Sequence, residues 1–236
     1  VYLATHVRTG RPLAVKLLAP EAAHEPENLQ RFEREARALG TLGHPNIVGI
    51  HDFAESDDGR PFLVMDYLEG EELADRLERV GRLPWPEAAA MVDQMAGALH
   101  AAHTAGVLHR DLKPGNIFLA RTAGAPERVV LLDFGLAKSV SAEEARVTKT
   151  GIIMGTPLYM SPEQARGYDL DVRSDVYSLA AMLFEMLAGR PPFEGSTWTA
   201  ILTALLVEPP PMLSQSVGDD LPPHLDQVLA SALSKD

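Results

Sequence analysis

The first 70 residues alternate between short apolar runs and turns, a pattern typical of β-strands. Four strands are predicted, at residues 1–7, 13–18, 44–50 and 62–65. The turn residues 8–11 join the first two strands and favour an antiparallel pair. Apolar residues recur at helical spacing from about residue 27 to 40, which predicts one helix within this part of the chain.

From residue 71 the pattern becomes helical. Four helices are predicted, near residues 86–106, 171–189, 197–206 and 222–233. The second of these is apolar on nearly all sides, which is typical of a helix buried in a core. Three apolar runs are too short for helices and are expected to be small buried strands, at residues 107–108, 117–119 and 129–132. The chain is therefore predicted to have an α+β fold with its β-rich part first.

A polar run, residues 109–116, lies between two of these short apolar runs. It contains Asp111, Lys113 and Asn116, and the run at 129–132 leads directly into Asp133. The neighbouring strands would hold these four side chains close together. Two carboxylates, an amide and an ammonium suit a site that binds divalent metal and polyphosphate and deprotonates a hydroxyl.

Composition narrows the function classes. A net charge of -12 argues against nucleic-acid or anionic-membrane surfaces and mildly favours positively charged substrates or partners. The absence of cysteine excludes disulfides, thiolate zinc sites and Fe–S clusters. No apolar stretch approaches 18 residues, so we expect no transmembrane span or membrane contact in this chain.

The motifs resemble those of protein kinases, most closely the bacterial receptor-type serine/threonine kinases. They are His-Arg-Asp-Leu-Lys-Pro-Gly-Asn at 109–116, Asp-Phe-Gly at 133–135, Gly-Thr-Pro to Ser-Pro-Glu at 155–163 and Ala-Val-Lys at 14–16. The resemblance implies a bilobal fold, with an N-lobe at 1–65, a hinge at 66–70 and a C-lobe at 71–236. It also implies a fragment that lacks the glycine-rich loop and the last helix, and that has weak activity by itself.

The resemblance assigns roles to the polar side chains. Asp111 would accept the proton of a protein serine or threonine, and Lys113 would stabilise the transferring phosphoryl group of ATP. Asn116 and Asp133 would bind two Mg²⁺ ions, for which Mn²⁺ is a possible substitute. Lys16 would hold the α- and β-phosphates.

Lys16 is expected to pair with Glu35 of the first helix, because Glu35 lies at the margin of the apolar stripe whereas Glu33 lies off it. The alternative for Glu35 is a surface pair with Arg31 or Arg34. The remaining ATP contacts implied by the resemblance are Ala14 and Phe118 around adenine, Val1 above it, Met65 behind it, and the main chain of Asp66 and Leu68.

The long segment from 136 to 160 is expected to regulate activity. By resemblance, Thr148 and Thr150 would be autophosphorylated, for which a transient homodimer is one arrangement, and Arg110 would bind the phosphate. Thr156 would help to dock the substrate. The alternative is that Thr148 and Thr150 are two solvated threonines in a flexible loop.

Three other functions remain open: a pseudokinase scaffold, a small-molecule phosphotransferase of kinase-like fold, and a non-enzymatic binding module. The first would normally lack Lys16, Asp111 or Asp133, and the second would lack the segment at 155–163, yet the chain has all of these. We expect a cytoplasmic domain, with membrane anchoring of a longer protein left open. His100 and His103 have a spacing that suits a metal, but packing roles are favoured.

Overall fold

The computed structural model describes residues 1–18, 26–57, 59–134, 157–217 and 221–235. Its first part is a four-stranded antiparallel sheet of order β1-β2-β4-β3, with helix α1 against it. The elements are β1 (Tyr2–Thr5), β2 (Pro12–Leu17), α1 (Pro26–Leu42), β3 (Ile50–Glu55) and β4 (Pro61–Asp66). Phe32 of α1 packs on Phe53 of β3 with the ring centroids 5.2 Å apart, so aromatic contact joins helix and sheet.

A second sheet of three antiparallel strands, in the order β5-β6-β7, follows. The strands are β5 (Gly70–Glu72), β6 (Ile117–Ala120) and β7 (Arg128–Leu131). Gly70 begins β5 with φ +151°, and a Cβ there would lie 2.0 Å from the carbonyl oxygen of Leu119. Only glycine therefore allows the chain to leave the first sheet and pair with β6 at this point.

The remainder of the described chain is mainly helical. Its helices are α2 (Leu73–Val80), α3 (Trp85–Thr104), α4 (Pro162–Arg166), α5 (Val172–Ala188), α6 (Trp198–Val207), α7 (Ser214–Val217) and α8 (Leu225–Ala232). Helix α5 lies in the core, where Met182, Phe184 and Met186 have no exposed surface. Asp171 caps its N-terminus, and Gly189, with φ +73°, ends it at the predicted residue. None of the described helices has both the length and the apolar character that crossing a membrane requires.

The α+β prediction is confirmed, whereas some element boundaries are wrong. Helix α1 continues through Gly40 to Leu42. The strand predicted at 44–50 begins only at its last residue, because Asn46 is held in a loop that donates from its side chain to Gln94 at 2.9 Å and to the carbonyl of Val129 at 2.7 Å. Residues 107–108 form no strand, since the Val107 N–H donates back to Ala102 at the end of α3.

An ion-pair network connects α2 to the second sheet and to α3. Arg76 contacts Glu71 at 2.7 Å, Glu87 at 3.1 Å and Glu127 at 2.8 Å. Arg79 contacts the same Glu71 carboxylate at 2.8 Å. Hydrogen bonds from Arg76 and Arg79 lower the pKa of Glu71 from 4.5 to about 2.

The network predicts a pH-dependent contribution to stability. Because the folded-state pKa of Glu71 lies below its ordinary value, its contribution is present above pH 4.5 and is lost as the pH falls towards 2. Urea unfolding should therefore show Glu71→Gln less stable than wild type at about pH 7, with a smaller difference at about pH 3. The exposed Glu69→Gln, which leaves Arg76 and Arg79 paired, is the control. A difference for Glu71→Gln that does not shrink on acidification would contradict the prediction.

Candidate active site

The polar run at 109–116 is anchored by a buried carboxylate. Asp175, on α5 and 1% exposed, accepts the backbone N–H of His109 at 2.8 Å and that of Arg110 at 2.9 Å. His103 of α3 donates from Nε2 to the same carboxylate at 2.7 Å. Arg110 has φ +62°, an uncommon conformation for a residue with a side chain. The Asp175 contacts therefore fix a turn that its own sequence does not favour.

Asp111 lies just after this turn, and Lys113 and Asn116 contact its carboxylate. Lys113 Nζ lies 2.9 Å from Asp111 Oδ2, and Asn116 Nδ2 donates to the same oxygen at 3.0 Å and to the Asp111 carbonyl at 2.6 Å. Residues Pro114–Asn116 form a single 3₁₀ turn, which brings the amide back over the carboxylate. The carboxylate is thus fixed in orientation while it remains 19% exposed.

Asp133 reaches the site from the end of β7. Its φ is +47°, and its Oδ1 lies 2.6 Å from Lys16 Nζ on β2. The next residue, Phe134, is buried with its ring 4.6 Å from that of His109. Nε2 of His109 contacts the carbonyl oxygen of Leu132 at 2.9 Å, and burial lowers the His109 pKa, which favours the neutral ring. These contacts join the residues before and after Asp133 to the 109–116 loop.

The predicted pair between Lys16 and Glu35 is wrong for this conformation. Lys16 pairs with Asp133, whereas Glu35 of α1 pairs with Arg110 at 3.0 Å and is only 7% exposed. Glu35 does face the interior, as predicted from the apolar stripe of α1. The nearly buried carboxylate needs a cation, and α1 places it against the guanidinium of the 109–116 loop instead of the ammonium of β2.

An apolar cluster gathers most of the side chains predicted to surround adenine. Its buried members are Val48, Met65, Ala120 and Val130, with Ala14, Leu68, Phe118 and Leu132 packed against them. Ala14 and Met65 are cross-strand partners of β2 and β4. Val1 is not part of the cluster and is 77% exposed. The cluster therefore gives a lining for a flat apolar ring.

Asp66, at the end of β4, has its N–H engaged by the carbonyl of Gly49 at 2.9 Å. Its side chain contacts Arg11 at 2.7 Å and His51 at 2.8 Å. Contacts between its main chain and a nucleotide are thus restricted to its carbonyl oxygen. The main chain of Leu68 makes no hydrogen bond to another residue within the described ranges.

Two residues near the site were missed or assigned no role by the sequence analysis. Glu72 of β5 is cross-strand partner of Phe118, and its Oε2 would lie 3.5 Å from a Cβ at Gly115. Burial raises its pKa, and the nearby Asp75 and Asp133 add to the shift. His103 binds Asp175 and no metal ligand set, since the described residues contain no cluster of three His, Cys, Asp or Glu side chains suited to a metal. The sequence carries no signal for Glu72, because it is a single acidic residue after the predicted hinge.

Asn116 and Asp133 have donor chemistry that fits Mg²⁺. The Asn116 amide donates through Nδ2, so its Oδ1, without a hydrogen bond to another residue in the described part of the chain, is the atom left for a cation. Asp133 is 37% exposed and supplies carboxylate oxygens. Hard oxygen ligands of this kind suit Mg²⁺ and Mn²⁺.

Thr148, Thr150 and Thr156 lie outside the described residues. The chain is described again from Pro157, where the Tyr159 hydroxyl donates to Glu185 at 2.6 Å. Ser161 caps α4 in a reciprocal box with Gln164, and Gln164 also donates to the carbonyl of Arg110 at 2.7 Å. The start of α4 is therefore bonded to the same loop that carries Asp111.

Glu163, in α4, accepts a hydrogen bond from the hydroxyl of Ser174 on α5. The Ser174 hydroxyl thus connects the end of the 155–163 motif to helix α5.

Comparison with known proteins supports the resemblance. The family model described as protein kinase domain matches residues 1–235. Serine/threonine-protein kinase PknA of Mycobacterium tuberculosis is 42% identical over 239 residues, which cover 100% of this chain and 53% of PknA. PknB of Mycobacterium leprae is 38% identical, covering 100% of this chain and 37% of PknB. The PknI kinase domain of Mycobacterium tuberculosis has a similar structure, with a TM-score of 0.75, 34% identity, and coverage of 100% of this chain and 82% of that one.

The chain belongs to the protein kinase family. It spans about half the length of PknA and less of PknB. The family uses ATP and divalent metal ions in general. The structure gathers polar side chains of the 14–16 and 109–116 motifs and of Asp133.

Asp175 generates a prediction for the stability of this site. In Asp175→Asn an NH₂ group replaces one of the two oxygens that accept from His103, His109 and Arg110, so buried donors face a donor. We expect a loss of about 2–4 kcal/mol in the free energy of unfolding, measured with urea. Asp171→Asn, on the exposed end of α5, should change stability by less than about 0.5 kcal/mol, because asparagine caps a helix as well as aspartate. Equal effects of the two substitutions would contradict the anchoring role.

Proposed function

We propose that this chain is the catalytic domain of a serine/threonine protein kinase that transfers the γ-phosphoryl group of ATP to protein hydroxyls. The observation that carries the proposal is the fixed Asp111 carboxylate, bonded by Lys113 and Asn116. The Lys16–Asp133 pair, which joins β2 to the residue after β7, supports it. Its curated relatives are named serine/threonine-protein kinases.

In the proposed reaction the substrate hydroxyl oxygen bonds to the γ-phosphorus, and the bond from that phosphorus to the β–γ bridging oxygen breaks. Asp111 accepts the hydroxyl proton and ADP leaves with the bonding electron pair. Lys113, 2.9 Å from Asp111, supplies positive charge next to the transferred group. Positioning provides most of the rate in such loose transition states, which suits a carboxylate held from two sides.

Asn116 and Asp133 are the residues proposed to hold Mg²⁺, with two ions expected and Mn²⁺ as a substitute. When bound, these ions neutralise charge on the phosphates. In this structure the Lys16 ammonium lies 2.6 Å from Asp133 Oδ1 and neutralises that carboxylate. With the metal supplying that positive charge, Lys16 would be available to the α- and β-phosphates. Adenine would occupy the cluster around Met65, with Ala14 and Phe118 on either face.

The test is a phosphorylation assay of a generic basic protein with labelled ATP and Mg²⁺. Asp111→Asn should lower turnover by about 10²–10⁴-fold, because the proton acceptor and its orientation are lost. Its affinity for ATP should stay within about threefold of wild type, since Asp111 is assigned to the hydroxyl and not to the nucleotide. The exposed Asp169→Asn is the matched control and should retain full turnover.

Undiminished labelling by Asp111→Asn would refute the role of Asp111. ATP binding without turnover in the wild-type chain, and in a longer chain extended at both ends, would favour the pseudokinase alternative.

We further propose that phosphorylation of Thr148 or Thr150 activates the domain through Arg110. In this structure Arg110 forms an ion pair with Glu35, the residue that was predicted to pair with Lys16. A phosphate carries about two negative charges and three acceptor oxygens, so it would compete with Glu35 for the guanidinium. Glu35, released and still nearly buried, would then find its cation in Lys16.

The activation proposal predicts a phosphorylation-dependent difference that disappears in Thr148→Ala/Thr150→Ala. Autophosphorylated wild type should exceed its phosphatase-treated form by roughly tenfold or more in kcat/KM, because a charge-assisted pair of about 1.4 kcal/mol suffices for that factor. The double variant should resemble the phosphatase-treated form. Thr122→Ala, in an exposed loop, is the control and should behave as wild type. A double variant as active as phosphorylated wild type would overturn the proposal.

A further inference from the structure

Four arginines line a groove on the second sheet, away from the residues assigned to catalysis. The groove has a volume of about 430 Å³ and lies between α2, the start of α3 and the end of β6. We call it the arginine groove and define it by Arg76, Arg79, Arg82 and Arg121, which line it together with the carboxylates of Glu71 and Glu87.

The arginine groove faces away from the catalytic loop. Consecutive side chains of a strand point to opposite faces of a sheet. Glu72 of β5 lies next to Gly115 of the 109–116 loop, whereas its neighbour Glu71 contacts Arg76, Arg79 and Arg121. The two glutamates thus mark two faces of one short strand, with catalysis assigned to one face and the arginine groove on the other.

The groove is positive although the protein is acidic. Four arginines against two glutamates give a net charge of +2 for the lining, or +1 when Glu127 behind Arg76 is included. The whole chain has a net charge of -12. The negative charge of the whole chain repels large polyanions. A short ligand in the groove interacts mainly with charges that lie within the Debye length of about 10 Å.

The four arginines differ in their exposure and in the number of ion pairs that they make. Arg76 is 14% exposed and contacts three carboxylates, so it holds the groove together. Arg79 and Arg121 are 57% and 59% exposed and both contact the carboxylate of Glu71, and Arg121 also lies 3.7 Å from Glu127. Arg82 is exposed and makes no ion pair with another residue in the described ranges. The guanidinium groups of Arg79, Arg82 and Arg121 therefore remain exposed to solvent in the groove.

We propose that the arginine groove docks an acidic segment of a partner protein. Carboxylates of the segment would bind the exposed guanidinium groups of Arg79, Arg82 and Arg121, while Glu71 stays paired with Arg76. Planar guanidinium groups accept carboxylates in two-point contacts, which a peptide with several acidic side chains satisfies at once. A volume of about 430 Å³ fits a few side chains and not a folded surface.

The test uses a fluorescein-labelled peptide of alternating glutamate and glycine, with binding followed by fluorescence anisotropy. The variant Arg79→Gln/Arg82→Gln/Arg121→Gln should raise the Kd at least tenfold. Arg8→Gln/Arg37→Gln/Arg173→Gln removes the same charge from exposed arginines elsewhere, and should leave the Kd within about twofold, since surface charge at a distance is screened. Binding should not require ATP, so it is independent of the proposed phosphotransfer.

Arg82→Gln alone is the second variant, because it breaks no ion pair among the described residues and should not impair folding. It should raise the Kd by about two- to fourfold, since it removes one of three exposed guanidinium groups. An unchanged Kd for both groove variants, equal weakening by the control variant, or equal binding of a peptide with glutamine in place of glutamate would overturn the proposal. Displacement of the peptide by equimolar inorganic phosphate or single-stranded DNA would also overturn it, because the groove would then bind anions in general.

Discussion

The carboxylate of Asp175 is the contact on which the candidate site depends. It lies in the middle of the apolar core, on a helix with fully buried neighbours, and accepts three hydrogen bonds from the segment at 103–110. A buried charge that lacked these donors would be strongly unfavourable, and a left-handed Arg110 that lacked this acceptor would be strained. The Asp175 carboxylate and the turn at Arg110 therefore stabilise each other, and this turn positions Asp111.

Around this anchor, four charged side chains form two pairs, one between the first sheet and the residue after β7, and one between α1 and the 109–116 loop. Lys16 with Asp133 and Glu35 with Arg110 are both satisfied here, although family resemblance pairs Lys16 with Glu35. Partner exchange among two cations and two anions keeps the total charge constant, so it costs less than breaking one pair outright. A bound metal ion or a phosphate adds charge next to one of the two pairs. This added charge is sufficient to change which of the two pairings has the lower free energy.

The sequence predicted those parts of the site that are contiguous in the chain. The loop at 109–116 and Asp133 could be assigned because local strands and turns bring their side chains together, whereas the apolar lining was predicted from the family resemblance. The partner of Lys16 could not be predicted, because it depends on where α1 lies against the sheet. The start of β3 was misplaced since the side-chain bonds of Asn46 come from distant residues.

Glu71 and Glu72 also set a limit on the length of the connection between the two sheets. Gly70 fixes where β5 begins, because its missing Cβ lets the chain approach Leu119. Adding one residue between Gly70 and Glu71 would turn Glu71 towards the catalytic loop and take its carboxylate away from the arginines. The spacing between Gly70 and the two glutamates is therefore constrained by parity as well as by reach.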